Sequence, residues 1–362
     1  MAVRTHRQTP HSGNGGCCSI MPSPRPMFGY VNGTLIYNVW NNDFDIIRRG
    51  NFLELFKSQL LNENVTPRDL CIFDCANEGI GTADIEKMLD AIAPEFNELE
   101  VRVLFNIPTN KKTKYKYKCF PEHMVAHCHF NDHVNSLPVE WRQIQVDKYF
   151  LSLQRRASVS RLKFTKQLLD TFDADQYILS CATQPNKWLN ELRNLKEAIH
   201  PYKLPILVDG IIDSENKQHY HTDVNFFKCF INVITETSSQ TDDDIWREIF
   251  ITEKTFKAFA YRQLPIWFAV PGTVQVVRDL GFDVFDDIIN HSYDNEQSED
   301  KRLSMVVNEL NSFCNRYPIY ELNNMRNRLW ERITNNSNLL TELTMKHAVR
   351  KHKHILELIN GI

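Results

Sequence analysis

Apolar and polar positions follow two different spacings along the first half of the chain. Short apolar, β-branched or aromatic runs predict buried strands, whereas apolar residues spaced three or four apart predict helices. The predicted elements follow one another as a strand at 33–40, a helix at 52–61, a strand at 69–75, a helix at 83–93 and a strand at 101–107. Because strands that alternate with helices tend to pair in parallel, this half predicts a parallel sheet with crossover helices.

The second half repeats this alternation and then becomes purely helical. Its predicted elements are, in order, a strand at 149–154, a helix at 160–172, strands at 176–182, 205–210 and 226–237, a helix that opens at Thr252 and a strand at 264–270. From about Glu299 the apolar spacing is helical to the end of the chain. The pattern predicts a second α/β unit and a helical tail, with a cleft between the two units in which ligands commonly bind.

The predicted fold class is therefore α/β, with two Rossmann-like domains and a C-terminal helical tail. The predicted divisions are a disordered N-terminal segment at 1–26, a first α/β domain at 27–146, a second α/β domain at 147–300 and C-terminal helices at 301–362. The first of these segments is polar and punctuated by Pro and Gly, a composition that buries too little apolar surface to fold.

Glycine content adds a constraint on how this protein could hold phosphate groups. The chain of 362 residues has 12 glycines, roughly 3%, where about 7% is usual. This scarcity argues against a glycine-rich phosphate loop and favours side chains as phosphate ligands. The formal net charge of −3 argues against a polycation of the histone kind, although it allows a local basic groove.

Cysteine usage and hydropathy predict a soluble protein of the cytoplasm. The nine cysteines include no Cys-x-x-Cys pair, and several lie in apolar strand-like runs, as is typical of a reducing compartment. No run approaches the ~18 apolar residues of a membrane span. The N-terminus lacks the apolar region of a secretory signal.

Two segments of the second unit carry residues suited to binding an anion. Thr252 is placed to cap a helix whose N-terminus favours phosphate, Lys254 adds a positive charge, and Glu253 could accept hydrogen bonds from sugar hydroxyls. The alternative is an ordinary capped helix with a solvated lysine. Arg155, Arg156 and Arg161 lie at a strand-to-helix turn, where guanidiniums can grip a diphosphate bidentately, or where they form a solvated basic turn.

The order of motifs across about 148–294 resembles the donor half of GT-B glycosyltransferases. An apolar strand, Thr-Glu-Thr, an acidic loop, Ile-Thr-Glu-Lys-Thr, a Leu-Pro strand, Pro-Gly and Leu-Gly-Phe-Asp follow one another as in fucosyltransferase-like proteins and phage-encoded relatives. The resemblance implies that Glu253 binds the ribose and Lys254 the pyrophosphate of a nucleotide-diphosphate sugar. It also aligns Arg155, Arg156 and Arg161 with an Asn-Arg-Arg turn and the arginine opening the next helix, although Gln154 replaces the usual Asn.

The activity implied by the resemblance is transfer of a sugar from a nucleotide-diphosphate donor to a hydroxyl acceptor, without a metal. The acceptor, a glycan or modified DNA, would face the first domain, and a phage-encoded enzyme would act in the host cytoplasm. Glu78, which follows a predicted strand, is a candidate general base, with Asp74 as an alternative. Both residues would otherwise serve in a turn or a helix cap.

Three other motifs leave alternatives open. Asp242 and Asp244 form an Asp-x-Asp that could hold Mg²⁺ or Mn²⁺ in a metal-dependent transferase, or lie in a solvated loop. The Lys-Tyr run at 111–118 could contact modified DNA or form part of a non-catalytic nucleic-acid or partner-binding module, although a charged edge strand explains it equally. A cluster of four histidines supplies polar positions on an interdomain segment or, as the alternative, ligands for a zinc ion: His123, His127, His129 and His133.

Overall fold

A computed structural model describes the chain in segments. These are residues 28–39, 52–62, 70–76, 82–105, 115–120, 134–135, 137, 140, 143–154, 158–181, 197–202, 224–236, 249–345 and 347–362.

The first half forms a five-stranded mixed sheet. Its strands lie in sequence order: β1 (Phe28–Val31), β2 (Thr34–Asn38), β3 (Leu70–Asp74), β4 (Glu100–Phe105) and β5 (Lys116–Cys119). Strands β2 to β5 are parallel, as the sequence predicted, and β1 pairs antiparallel with β2. The β1–β2 hairpin turns at Asn32 and Gly33, whose positive φ angles of 49° and 79° suit a two-residue hairpin loop.

Helices cover both faces of this first sheet. Helices α1 (Phe52–Asn62) and α2 (Thr82–Ile92) bury one face in an apolar cluster that includes Tyr37, Phe56 and Phe73. The opposite face contributes Ile72 and Leu104 to a second cluster, which also contains side chains from the C-terminal end of the chain. Alternating side chains of each strand therefore enter two different cores.

The second half contains a four-stranded parallel sheet. Its strands are β6 (Lys148–Gln154), β7 (Tyr177–Cys181), β8 (Cys229–Thr235) and β9 (Leu264–Phe268), in the spatial order β7-β6-β8-β9. Every adjacent pair is parallel, and Phe150 of β6 lies opposite Tyr177 on one side and Ile231 on the other. The chain leaves β6 towards β7 and later returns on the other side of β6 to form β8.

The remaining helices belong to this sheet and to the C-terminal region. They are α3 (Val159–Thr171), α4 (Asn225–Lys228), α5 (Glu253–Ala260), α6 (Thr273–Asp279), α7 (Glu299–Arg316), α8 (Leu322–Arg328), α9 (Trp330–Met345) and α10 (His347–Asn360), with short 3-10 turns at Ser292–Asn295 and Ile319–Glu321. Helix α7 is buried through Leu303, Val306 and Leu310 in the cluster that includes the second sheet. Helix α10 instead packs on the first sheet, against β3, β4 and β5.

The predicted strand at 226–237 is wrong at its start. Asn225–Lys228 forms one helical turn, and the strand begins only at Cys229. Phe226 stacks on Tyr261 with ring centroids 4.1 Å apart, while Phe227 meets the same ring edge-on at 5.7 Å. A strand would point these two consecutive rings to opposite faces, so the helical turn is what lets both reach Tyr261. The predicted strand at 205–210 and the predicted disordered segment at 1–26 lie outside the described residues.

Two general properties bear on the class of protein. Within the described segments, no helix is long and apolar enough to cross a lipid bilayer. The six cysteines in those segments carry free thiols: Cys71, Cys75, Cys119, Cys181, Cys229 and Cys314. Burial raises the pKa of the Cys314 thiol to about 12 and also raises the pKa values of Cys71 and Cys181. These three thiols therefore stay protonated and poorly nucleophilic at neutral pH.

Candidate anion-binding site

The topology of the second sheet marks one position where a ligand is expected. In open parallel sheets, ligands bind outside the carboxyl ends of two adjacent strands from which the chain departs in opposite directions. Strands β6 and β8 form such a pair, since β7 lies beyond β6 and β9 lies beyond β8. The residues at this switch point are Gln154, which ends β6, and Glu236, which directly follows β8.

Glu236 is a buried carboxylate that receives hydrogen bonds from the start of α5. Its Oε1 accepts from the Thr252 backbone N–H at 3.0 Å and from the Thr255 hydroxyl at 2.8 Å, while its Oε2 accepts from the Thr252 hydroxyl at 2.5 Å. The Trp267 indole N–H donates to the Thr255 Oγ1 at 3.0 Å, which leaves the Thr255 proton for Glu236. The Thr252 backbone N–H and the two threonine hydroxyls thus all donate to the Glu236 carboxylate, and the residue is only 2% exposed.

Lys254 lies in the first turn of α5, directly beside this carboxylate. Thr252 is the N-cap of the helix, as the sequence predicted, and its Oγ1 accepts from the Lys254 backbone N–H. The Lys254 ammonium lies 2.8 Å from the same Oγ1, 3.6 Å from Glu236 Oε2 and 3.7 Å from Glu253 Oε1. Its side chain is 27% exposed, so a positive charge is held at a helix N-terminus and remains within reach of a ligand.

Arg161 reaches the same place from the other side of the switch point. Ser158 caps α3 by accepting from the Arg161 backbone N–H at 3.3 Å. The Arg161 Nη2 donates to the backbone carbonyls of Thr235 at 3.2 Å and Glu236 at 3.0 Å. The two predicted anion-binding segments therefore meet at Glu236, one through its backbone and the other through its carboxylate. With 8% exposure, Arg161 is held mainly as a link between α3 and the end of β8.

The charges of the described site residues balance. Arg161 and Lys254 are cationic, whereas Glu236 and Glu253 are anionic, so these four side chains sum to zero formal charge. Any excess of positive charge at this edge must come from other residues, and Arg155 and Arg156 lie outside the described residues. Selective binding of an anion by the described groups would then depend on the placement of Lys254 rather than on a broad positive field.

The candidate residues of the first sheet are only partly described. Glu78 lies outside the described residues. Asp74 ends β3 and is buried, with Oδ1 accepting from the Ala76 backbone N–H at 3.1 Å. Its Oδ2 lies 2.7 Å from the Lys351 ammonium of α10, so the carboxylate is committed to an ion pair between distant parts of the chain. This contact favours a structural role for Asp74 over that of a general base.

The Lys-Tyr segment is described from Tyr115 onwards, and it forms the edge strand β5. Lys118 lies 3.3 Å from Glu357 of α10, and Lys116 lies 3.8 Å from Glu100 of the neighbouring strand. The Tyr117 ring packs edge-on against Phe105 with centroids 5.6 Å apart. These contacts agree with the charged edge-strand alternative.

The candidate metal ligands of the sequence lie outside the described residues. Asp242 and Asp244 lie outside the described residues, as do the four histidines His123, His127, His129 and His133. In the part of the chain that the structure describes, no group of three or more His, Cys, Asp or Glu side chains could hold a metal ion.

Sequence reasoning did not single out Glu236 as a site residue. The available signal was its position, because it is the first charged residue after the apolar run CFINVIT. Comparison of the chain with known protein families, with curated proteins and with solved structures found no match.

Proposed function

We propose that this chain is a GT-B-like glycosyltransferase that binds a nucleotide-diphosphate sugar at the carboxyl edge of the second sheet and works without a metal. The observation that carries the proposal is the position of the Lys254 ammonium, partly exposed at the N-terminus of α5 and beside the switch point between β6 and β8. A helix N-terminus and a lysine together provide an anion site of the size of a phosphate group.

The proposed reaction assigns separate tasks to the residues of the two sheets. An acceptor hydroxyl, on a glycan or on modified DNA, attacks the anomeric carbon of the donor sugar, and Glu78 takes the hydroxyl proton. The bond between that carbon and the diphosphate oxygen breaks, and the nucleoside diphosphate leaves with the electron pair. Lys254 stabilises the charge that develops on the leaving group, where electrostatic stabilisation contributes most to catalysis.

The other site residues support the donor in this proposal. Glu253, in the first turn of α5, accepts hydrogen bonds from the ribose hydroxyls. Arg161 anchors the backbone at Glu236 and thereby fixes the carboxylate that borders Lys254. Arg155 and Arg156, which follow β6 directly in the sequence, would contribute further contacts to the diphosphate, as the resemblance implies.

Calorimetric titration of the full-length protein with UDP-, GDP-, ADP- and CMP-sugars tests the donor site. Lys254→Ala should weaken binding of the preferred nucleotide roughly tenfold to a hundredfold, since a hydrogen bond to a charged group contributes about 1.5–3 kcal/mol. Lys257→Ala is the matched control, because it removes the same charge from the last turn of the same helix. Absence of binding by the unmodified protein, or equal losses in the two variants, would refute the assignment.

Chelation separates the proposed mechanism from a metal-dependent one. Transfer that persists in EDTA supports leaving-group stabilisation by side chains. Activity that disappears in EDTA and returns with Mg²⁺ or Mn²⁺ would point to the Asp242 and Asp244 motif instead.

A further inference from the structure

Two buried glutamines of the second sheet differ in how their amides are satisfied. Gln263 precedes β9, and its Oε1 accepts from Asn232 Nδ2 at 2.9 Å while its Nε2 donates to two backbone carbonyls at 2.8 and 3.1 Å. Gln154 ends β6 and is only 1% exposed. Its Nε2 donates to Ser152 Oγ at 3.2 Å, whereas its Oε1 is buried without a hydrogen-bond partner.

An unpartnered buried carbonyl oxygen is unfavourable, because the oxygen has lost its hydrogen bonds to water and gained none in return. Most buried polar atoms in folded proteins have a partner, so an exception calls for a physical reason. A methionine has nearly the same length and volume as glutamine and would fill the same space without this cost. The position of Gln154 supplies a reason, since it lies at the switch point where the proposed ligand binds.

We propose that the Gln154 amide binds a hydrogen-bond donor, an N–H or O–H group, on the nucleotide sugar. This inference rests on the proposed function and deepens it, because it makes Gln154 a residue that determines donor specificity. A site that bonds a particular polar group discriminates strongly against analogues that lack it, since its own buried group is then left unpaired.

The chemistry of the amide decides which part of the ligand it contacts. Its Oε1 is a neutral acceptor, so it does not suit the anionic diphosphate, which is assigned to Lys254. Donor groups on a nucleotide sugar occur on the base and on the hydroxyls of the two sugars. The hydrogen bond to Ser152 lies within the same strand and uses Nε2 alone, so Oε1 remains for a donor group of the ligand.

The test compares Gln154→Met with Gln263→Met, two substitutions of the same chemistry in the same sheet. Thermal unfolding is measured without ligand, and binding of UDP, GDP, ADP, CMP and their sugars is measured by calorimetry. Gln154→Met leaves only the Ser152 hydroxyl without its partner and removes the unpaired oxygen, so it should lower Tm less than Gln263→Met does, and it should weaken binding about five- to tenfold, the loss expected for one hydrogen bond. Gln263→Met should lower Tm, because it leaves Asn232 and two carbonyls unpaired, and a folded Gln263→Met protein should bind as the unmodified protein does.

Comparing the free nucleotides with the nucleotide sugars also shows which part of the ligand contacts Gln154. A loss that appears with the free nucleotides places the donor group on the base or ribose, and a loss confined to the nucleotide sugars places it on the transferred sugar. Unchanged affinity in Gln154→Met, or a fall in Tm as large as that of Gln263→Met, overturns the inference and leaves the proposed function standing. If the unmodified protein binds none of these compounds, the proposed function fails first and the inference falls with it.

Discussion

Two buried side chains near β9, His291 and Tyr293, fix each other's protonation states. The His291 Nε2 lies 2.8 Å from the Val284 carbonyl, which can only accept, so this nitrogen carries the proton. The Tyr293 hydroxyl accepts from the Trp267 backbone N–H at 3.2 Å and donates to His291 Nδ1 at 2.7 Å. Each donor in this chain therefore faces an acceptor only while the imidazole is neutral. Burial lowers the pKa of His291 accordingly.

This arrangement predicts a loss of stability in mild acid. Because the pKa of His291 is lower in the folded protein than in the unfolded chain, the unfolded chain binds the proton first as the pH falls below about 6.5. The stability contributed by neutral His291 is therefore fully present above that pH and declines as the pH falls towards the lowered pKa. Thermal unfolding at pH 7.5, 6.5 and 5.5 should show a steeper fall in Tm for the unmodified protein than for His291→Gln.

The exposed His352 provides the comparison for this experiment. A His352→Gln protein should retain the pH dependence of the unmodified protein. Parallel Tm curves for the unmodified protein and His291→Gln would show that His291 does not cause the acid sensitivity.

Single residues of the candidate site differ in how far the sequence could predict them. Thr252 is a confirmed N-cap because capping depends on a few adjacent residues. The burial of Glu236 depends on a helix that starts only at Glu253 and on Trp267 from the next strand. The burial of the Gln154 side-chain oxygen, and its lack of a hydrogen-bond partner, depend on tertiary packing. Local sequence therefore predicted the cap, whereas buried polar groups required the tertiary structure.

At the level of elements, helices α5 and α6 satisfy their N-termini in different ways. Helix α5 uses its own Thr252, whereas α6 starts after Gly272, whose φ of 85° and missing side chain leave no local cap. Asp294 replaces that cap from a later turn. Its Oδ1 accepts from the Val274 N–H and its Oδ2 from the Gln275 N–H, both at 3.1 Å.

We expect Asp294→Ala to lower the free energy of unfolding by about 1–2 kcal/mol, the usual effect of losing an N-cap. Asp294→Asn retains one acceptor oxygen, so it should have a smaller effect. Urea unfolding measures both values, and Asp279→Ala, which removes an exposed carboxylate at the other end of the same helix, should change little. Equal effects of the Asp294 and Asp279 substitutions would contradict a capping role.

Element type was predictable wherever the apolar spacing was regular. Strands β2 to β4, β6, β7 and β9 and helices α1 to α3 appear where that spacing placed them. The helical turn at Asn225–Lys228 was not predictable, because its two phenylalanines pack against Tyr261, which lies more than 30 residues away in the sequence. Strand β1 was not predicted either, since four residues give too short a pattern to distinguish.

At the scale of the whole molecule, α10 connects the C-terminal helices with the first sheet. Ile355 and Leu358 are buried in the same cluster as Ile72 and Leu104 of the first sheet. The Arg102 Nη1 of β4 donates to the Leu358 carbonyl, 256 positions away. The sequence predicted a helical tail, but no local pattern shows that its last helix covers the sheet with which the chain begins.

The ion pair between Asp74 and Lys351 tests the strength of this connection. Lys351→Met leaves the Asp74 carboxylate buried without its partner, which should cost about 3–5 kcal/mol in urea unfolding. Adding Asp74→Asn should recover part of that loss, because the uncompensated charge is removed. Lys353→Met serves as a control, since that side chain is 72% exposed. A double variant whose loss equals the sum of the single losses would show that the two side chains do not interact.

The docking of α10 also affects how the protein folds during its synthesis. A ribosome releases the first sheet long before it releases residues 347–360, so the apolar face on which α10 packs lacks this helix until those residues emerge. Contacts this distant in sequence slow folding, and uncovered apolar surface promotes aggregation of the intermediate. The protein should therefore depend on chaperones during translation, and nascent chains that end before residue 347 should be recovered as aggregates or chaperone complexes.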